Sequence, residues 1–327
     1  MKRKTIISIF LFFSILITSI TAFKKSKESN DNVIRIGYQV PTAVTWGASI
    51  MKSRHLVEKE LKQLGVNNYK VEWKIAQSGA PLVNLMKSNK LDIAFLGDMP
   101  AIITLSDTKK NYIYNPILIG ADGVGKNGNG QWIVTKKQNK IKTVNDLKNK
   151  SIATAYGSST DRLIREVLHN SKVKAKLNYT DLSIAKMNLD KGNVDAISVW
   201  TPYTILTNSK NYRVVYNGNQ SKRDYLGLVV GNKNTINNKK VALAIKIALQ
   251  KSHNYIEAHP KQASIYLSKD TGFSKNITFK AIQSLEYSKI HPKYYSDSIK
   301  SNFIFLKTNN LLKEKKKWSS FEKEYLH

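Results

Sequence analysis

Residues 141–170 read IKTVNDLKNKSIATAYGSSTDRLIREVLHN. Ser151–Ala155 has the make-up of a short buried strand, and Ser159–Asn170 puts Leu163, Ile164, Val167 and Leu168 on one face of a helix. Between them stand Gly157, Ser158, Ser159 and Thr160. Glycine permits a sharp turn, and the hydroxyl residues suit a helix start. That start presents unpaired N–H groups and the positive end of a dipole, and small side chains let an anion come close to it. A simple cap is the commoner meaning of such a turn, so the rest of the chain has to decide.

Working outward, strands alternate with helices. Upstream, Val33–Tyr38, Tyr69–Ile75 and Asp92–Leu96 read as strands. Trp46–Leu64 and Ala80–Asn89 read as helices, and a further helix opens at Gly97-Asp98-Met99-Pro100. Downstream, the pattern restarts with strands at Gln131–Thr135, Tyr179–Leu182, Asp195–Trp200 and Arg213–Tyr216, with helices at Val144–Lys148 and Ser183–Gly192. The glycine-rich Gly123–Gly130 separates two tandem α/β units. After the apolar strand Tyr225–Val230 the chain turns helical, at Lys239–His259, Lys261–Lys269 and Ile277–Tyr287. Trp318 and Phe321 are expected to pack the charged tail onto the body. The order implies mostly parallel sheets covered by helices on both faces.

Lys2, Arg3 and Lys4 precede the apolar run Thr5–Ile17, and small or polar residues follow to Ala22. This is the layout of a secretory signal over residues 1–22, followed by a disordered leader at 23–32. The 327 residues contain no cysteine, which excludes disulfides and a lipid-bearing cysteine. An exported chain of this kind rests on its core alone. The formal charge is +30, and +27 without the first 22 residues. Apart from Lys313–Lys317 the lysines are scattered rather than banded, so nucleic acid is not the expected partner.

Three segments together resemble one family. They are SGAPLVNLMKSNKLDIAFLGDMPAI (Ser78–Ile102), TVNDLKNKSIATAYGSSTDRL (Thr143–Leu163) and DKGNVDAISVWTPY (Asp190–Tyr203). In order and spacing they are similar to the periplasmic solute-binding proteins of ABC importers, in the aliphatic sulfonate-binding branch near the nitrate and taurine binders. The resemblance runs over about 33–290. It implies a two-lobed α/β periplasmic-binding-protein fold of type II with the ligand in the cleft between the lobes. One lobe would combine 33–122 with 222–327, and the other would be 123–221. Two crossing strands would form the hinge, and ligand would close the lobes. It further implies a monomeric periplasmic protein that hands a small alkanesulfonate-like anion to ABC permease subunits in the inner membrane, without a cofactor.

Ligands of such sheets sit beyond the C-terminal ends of the strands. Gln39 and Thr42 follow the first strand, and the Gln39 amide either fixes an anion without supplying charge or is an exposed loop amide. Ser78 and Gly79 follow the second strand at a helix start. Gly97 and Asp98 end the third, where Asp98 reads better as a cap than as a contact, unless the ligand is a zwitterion such as taurine. Ser158, Ser159 and Thr160 are the strongest anion contacts, through hydroxyls and main-chain N–H groups, with Gly157 beside them in the site. Asp161 is unhelpful there unless it points outward, and Arg162 reads as solvent-facing, with a cationic role as the alternative. Trp200 walls the cleft or packs in the core, and Tyr225 lends a hydroxyl. His253, His259 and His291 lack metal-ligand spacing and read as surface residues. No cysteine nucleophile, Gly-x-Ser-x-Gly elbow, His-Glu-x-x-His or Walker loop is present, which argues against an enzyme. Nitrate, taurine and pyrimidine-like ligands remain alternatives to an alkanesulfonate.

Overall fold

The computed structural model describes residues 33–107, 114–233, 236–288, 290–312 and 316–326. The expected signal and leader lie outside the described residues. None of the described helices is long and apolar enough to cross a membrane.

The strands are β1 (Val33–Gln39), β2 (Lys70–Ala76), β3 (Ile93–Gly97), β4 (Pro116–Gly125), β5 (Gln131–Lys136), β6 (Ser151–Thr154), β7 (Lys176–Tyr179), β8 (Ala196–Trp200), β9 (Tyr212–Asn217) and β10 (Tyr225–Asn232). They form two five-stranded sheets, ordered β2-β1-β3-β10-β4 and β7-β6-β8-β5-β9. In each sheet a parallel pair meets a strand that has crossed over. β1 runs parallel to β3, while β10 lies antiparallel to β3 and β4. β6 runs parallel to β7 and β8, while β5 lies antiparallel to β8 and β9. The sheet edge β2 alternates in exposure, as one open face requires, whereas the central β3 and β10 are buried throughout.

The helices are α1 (Gly47–Ser53), α2 (Leu56–Gln63), α3 (Gly79–Lys87), α4 (Asp98–Ser106), α5 (Ser159–Asn170), α6 (Leu182–Lys191), α7 (Tyr203–Leu206), α8 (Lys239–Ala258), α9 (Pro260–Thr271), α10 (Lys275–Gln283), α11 (Ser296–Thr308) and α12 (Trp318–Tyr325). One face of the first sheet packs Leu96 and Leu228 against Leu82, Met99, Phe303 and Phe321. Its other face packs Phe95 and Val229 against Met51, Leu61 and Ile245. The second sheet buries Ile133, Ile152 and Ala196 under Leu163, Ile164 and Val167 of α5. Two glycines admit the short turn Ala43–Thr45 between β4 and β10. A Cβ on Gly227 would fall 1.9 Å from the Val44 carbonyl oxygen, and one on Gly123 would fall 2.9 Å from Val44 Cα.

Several expectations change. The single helix over 46–64 is two helices, because His55 adopts a left-handed conformation (φ 54°) between α1 and α2. The brief strand expected at 179–182 is β7, which ends at Tyr179, and residue 182 already begins α6. Of the separating stretch Gly123–Gly130, Gly123–Gly125 continues β4. His253 is buried, not a surface residue. Its Nε2 lies 2.8 Å from Asp122 Oδ1, and Asp122 Oδ2 accepts the Gly47 N–H at 3.0 Å. Burial pushes the Asp122 carboxyl up, against the pull of His253. His259 and His291 are exposed. Among the described residues no group of three or more His, Cys, Asp or Glu could hold a metal ion.

Candidate functional site

The ends of β1, β3, β6 and β8 open onto one cavity of about 710 Å³, lined from both lobes. Gln39, Thr42, Ser78, Gly79, Gly97, Asp98 and Tyr225 line it from the first lobe, and Gly157, Ser158, Ser159 and Trp200 line it from the second. The N-terminal ends of α3, α4, α5 and α6 all reach this lining, so four dipoles present their positive ends to one space. Val83, Ile103, Ala155 and Leu311 add apolar wall.

Gln39 is buried, not an exposed loop amide, and its Nε2 has no hydrogen-bond partner. Its amide nests between two glycines. A Cβ on Gly79 would approach Gln39 Oε1 to 3.3 Å, and one on Gly97 would approach Nε2 to 4.0 Å. The Thr42 and Tyr225 hydroxyls are also buried without partners. Burial, reinforced by Asp98, pushes the Tyr225 phenol well above its ordinary value, so it stays a donor. Three uncommitted polar side chains therefore converge on the cavity from the first lobe.

The turn at 157–160 divides its labour. Ser158 caps α5 by accepting the Asp161 N–H at 3.2 Å, and its own hydroxyl donates to the Ala155 carbonyl at 2.6 Å. Thr160 does not reach the lining; its hydroxyl meets Thr154 and Ser158, each at 3.0 Å. Gly157 takes a positive φ of 63°, and its N–H goes to Asp161 Oδ2 at 3.0 Å. Asp161 is buried, and its charge is met by Arg165 at 2.8 Å. What the turn leaves for a ligand is the Ser159 hydroxyl and the first-turn N–H groups of Ser159 and Thr160, which have no intrahelical acceptor.

Asp98 is fully buried, with Oδ1 accepting the Met99 N–H at 2.8 Å and Oδ2 accepting Asn302 Nδ2 at 3.0 Å. Burial pushes its carboxyl up, and Arg162 pulls it down. Arg162 itself is fully buried, which corrects the solvent-facing reading. Trp200 lines the cavity while its Nε1 donates to the Pro41 carbonyl at 2.6 Å, a bond that joins the second sheet to the first lobe. The wall and packing readings of this residue therefore both hold. Tyr156 and Tyr179 also line the cavity and meet edge to face at 5.0 Å. Neither is marked in the sequence as a site residue: Tyr156 stands in the turn after β6, and Tyr179 ends β7, where a strand was expected to begin.

A family model for the ABC transporter phosphonate periplasmic substrate-binding protein matches residues 56–196. An Escherichia coli (strain K12) protein named for aliphatic sulfonate binding is 27% identical over 192 residues, which is 57% of this chain and 54% of that protein. A Bacillus subtilis (strain 168) protein named in the same way is 29% identical over 193 residues, 57% of this chain and 53% of that protein. The chain thus spans about half the length of the curated relatives it matches. Among solved structures, the periplasmic aliphatic sulphonate binding protein SsuA from Escherichia coli superposes with a TM-score of 0.71 at 19% identity, covering 90% of this chain and 99% of that one. This is a periplasmic-binding-protein fold. The alkanesulfonate-binding protein SsuA from Xanthomonas axonopodis pv. citri, solved with MOPS bound, shares the fold at a TM-score of 0.72 and 19% identity, covering 88% and 97% of the two chains. These matches bear out the two-lobed α/β periplasmic-binding-protein architecture and the resemblance to the sulfonate-binding branch.

Proposed function

We propose that this periplasmic-binding-protein fold is the solute-binding component of an ABC importer, capturing an organic sulfonate and delivering it to permease subunits in the inner membrane. In this reading the chain is exported by the signal at residues 1–22, works in the periplasm as a monomer, uses no cofactor and has no catalytic activity. The observation that carries the reading is the convergence of uncommitted donors on one cavity: Gln39 Nε2, the Tyr225 hydroxyl and the start of α5. Donors buried without acceptors cost free energy unless something accepts from them, and a multi-oxygen anion does so. The Thr42 hydroxyl is equally unpartnered and completes the set. The name of the relatives supports the same class.

Cavity volume favours an organic anion over a bare one. A small inorganic oxyanion would leave most of the roughly 710 Å³ to water, whereas an alkyl tail would lie against Val83, Ile103, Trp200 and Leu311. Calorimetric titration with a series of alkanesulfonates, taurine, nitrate and sulfate tests the assignment. One-to-one binding of an alkanesulfonate, with nitrate and sulfate weaker, is the expected outcome. No heat from any member of the series would defeat the ligand assignment and leave the fold standing.

A further inference from the structure

The second lobe brings two aromatic rings to the cavity that the capture of an anion does not use. Tyr156 and Tyr179 both line it, and 62% of Tyr156 and 42% of Tyr179 stay exposed. Their rings meet edge to face, with centroids 5.0 Å apart and planes at 80°. Much of their surface is therefore uncovered in a space that a ligand would fill.

A chain of bonds fixes this pair to the anion-binding turn. Tyr179 ends β7, opposite Thr154 of β6. Arg165 Nη2 donates to the Tyr179 hydroxyl at 2.5 Å, and Arg165 Nε donates to Asp161 Oδ1 at 2.8 Å. The other oxygen of Asp161 accepts the Gly157 N–H at 3.0 Å. Tyr156 directly precedes that glycine and stands three residues before Ser159. At most about 11 Å of chain separates the Cα atoms of Tyr156 and Ser159, so one small molecule can touch both the helix start and the rings.

The chemistry of the pair selects what lies on it. An open alkyl chain would gain from burial and lose torsional freedom on being held. A flat ring has no such torsions, and it adds a further stacked or edge contact to an edge-to-face pair, a gain beyond its buried area. A cation is the other group that aromatic faces attract. Here Arg165 already fills that role, with its guanidinium 5.8 Å from the centre of the Tyr179 ring, and a second cation would meet a like charge. Asp181, which also lines the cavity, works in the cation's favour, so the two cases need a direct comparison.

We propose that Tyr156 and Tyr179 form an aromatic subsite on the second-lobe wall, and that they favour sulfonates whose organic group is an aromatic ring. The proposal rests on the reading of the cavity as a site for an organic anion. It makes the two tyrosines the residues that choose the organic group, while Gln39, Tyr225 and the start of α5 hold the sulfonate.

The test is calorimetric titration of the purified protein with benzenesulfonate, cyclohexanesulfonate and 3-aminopropanesulfonate. The two six-membered rings are close in size, and the saturated one is the more apolar, so burial alone favours cyclohexanesulfonate. The parent should nevertheless bind benzenesulfonate at least as tightly. Tyr156→Leu keeps an apolar side chain and removes the ring; it should shift the ratio of the two affinities towards cyclohexanesulfonate by about three- to tenfold. Tyr156→Phe keeps the ring and should hold the ratio within about twofold of the parent. Both changes fall on an exposed side chain, and unfolding scans check that each variant is folded. A parent that prefers cyclohexanesulfonate, or a ratio that Tyr156→Leu does not move, would overturn the proposal and leave the anion reading standing. Tighter binding of 3-aminopropanesulfonate than of benzenesulfonate would overturn it as well, and would give the rings and Asp181 to a cation. Absence of binding by all three would remove the anion reading and the aromatic subsite with it.

Discussion

Tyr225 enters the cavity with a hydroxyl that is buried and has nothing to donate to. A polar atom in that position costs about 1–3 kcal/mol, and it returns the cost only when an acceptor arrives. Tyr225→Phe is therefore expected to divide two quantities that usually move together. Thermal stability of the free protein should stay equal or rise, while affinity for an alkanesulfonate should fall by about tenfold, the value of a hydrogen bond to a charged group. Unfolding scans and titration on the same variant check both halves; a fall in stability with affinity intact would mean that the hydroxyl serves the fold. Gln39 follows the same logic, since its Nε2 is unpartnered and glycine at positions 79 and 97 leaves room for the amide. Arg162 is where reading from sequence reached its limit. An arginine on an amphipathic helix normally faces water, and nothing local marks Arg162 as one that is buried.

At the scale of elements, the start of α5 is the part most exposed to a single substitution. Ser158 caps the helix through Asp161 N, and that bond fixes where the Ser159 and Thr160 N–H groups point. Ser158→Ala should cost about 1 kcal/mol and lower the melting temperature by about 2–4 °C. It should also weaken the ligand severalfold although Ser158 spends its own hydroxyl on the fold. Equal affinity in the variant would show that the helix start is not what holds the anion. This helix was fully legible: Ser159–Asn170 came from a 3.6-residue apolar period and a hydroxyl cap, and those are its bounds. Elsewhere the signal was absent for physical reasons. The break between α1 and α2 falls on His55, a non-glycine residue at positive φ, so no glycine marked it. β4 hides behind Gly120, Gly123 and Gly125, because glycines weaken a strand signal, and the close pass of Val44 accounts for the one at 123. α11 carries a buried Asn302 that serves Asp98, a polar core position that blurs its apolar stripe.

At the scale of the whole molecule, the formal charge of +30 and the buried donor set act on different steps of binding. Lysines spread over the surface raise the local concentration of anions and steer them inward, an effect that salt screens over about 10 Å at 0.1 M. In the proposed reading the donors at Gln39, Tyr225 and Ser159 would hold the anion inside the cavity, shielded from counter-ions, and salt should barely touch them. Trp200 lies in the cavity wall and bridges to Pro41, so its fluorescence is placed to report both arrival and closure. Stopped-flow traces with an alkanesulfonate should therefore show an association rate that falls severalfold between about 10 mM and about 500 mM salt, while the dissociation rate stays nearly constant. A dissociation rate that climbs as steeply as association falls would place the anion among exposed lysines instead. The surface charge would then be the binding site, and the buried donors would have to be explained by the fold alone.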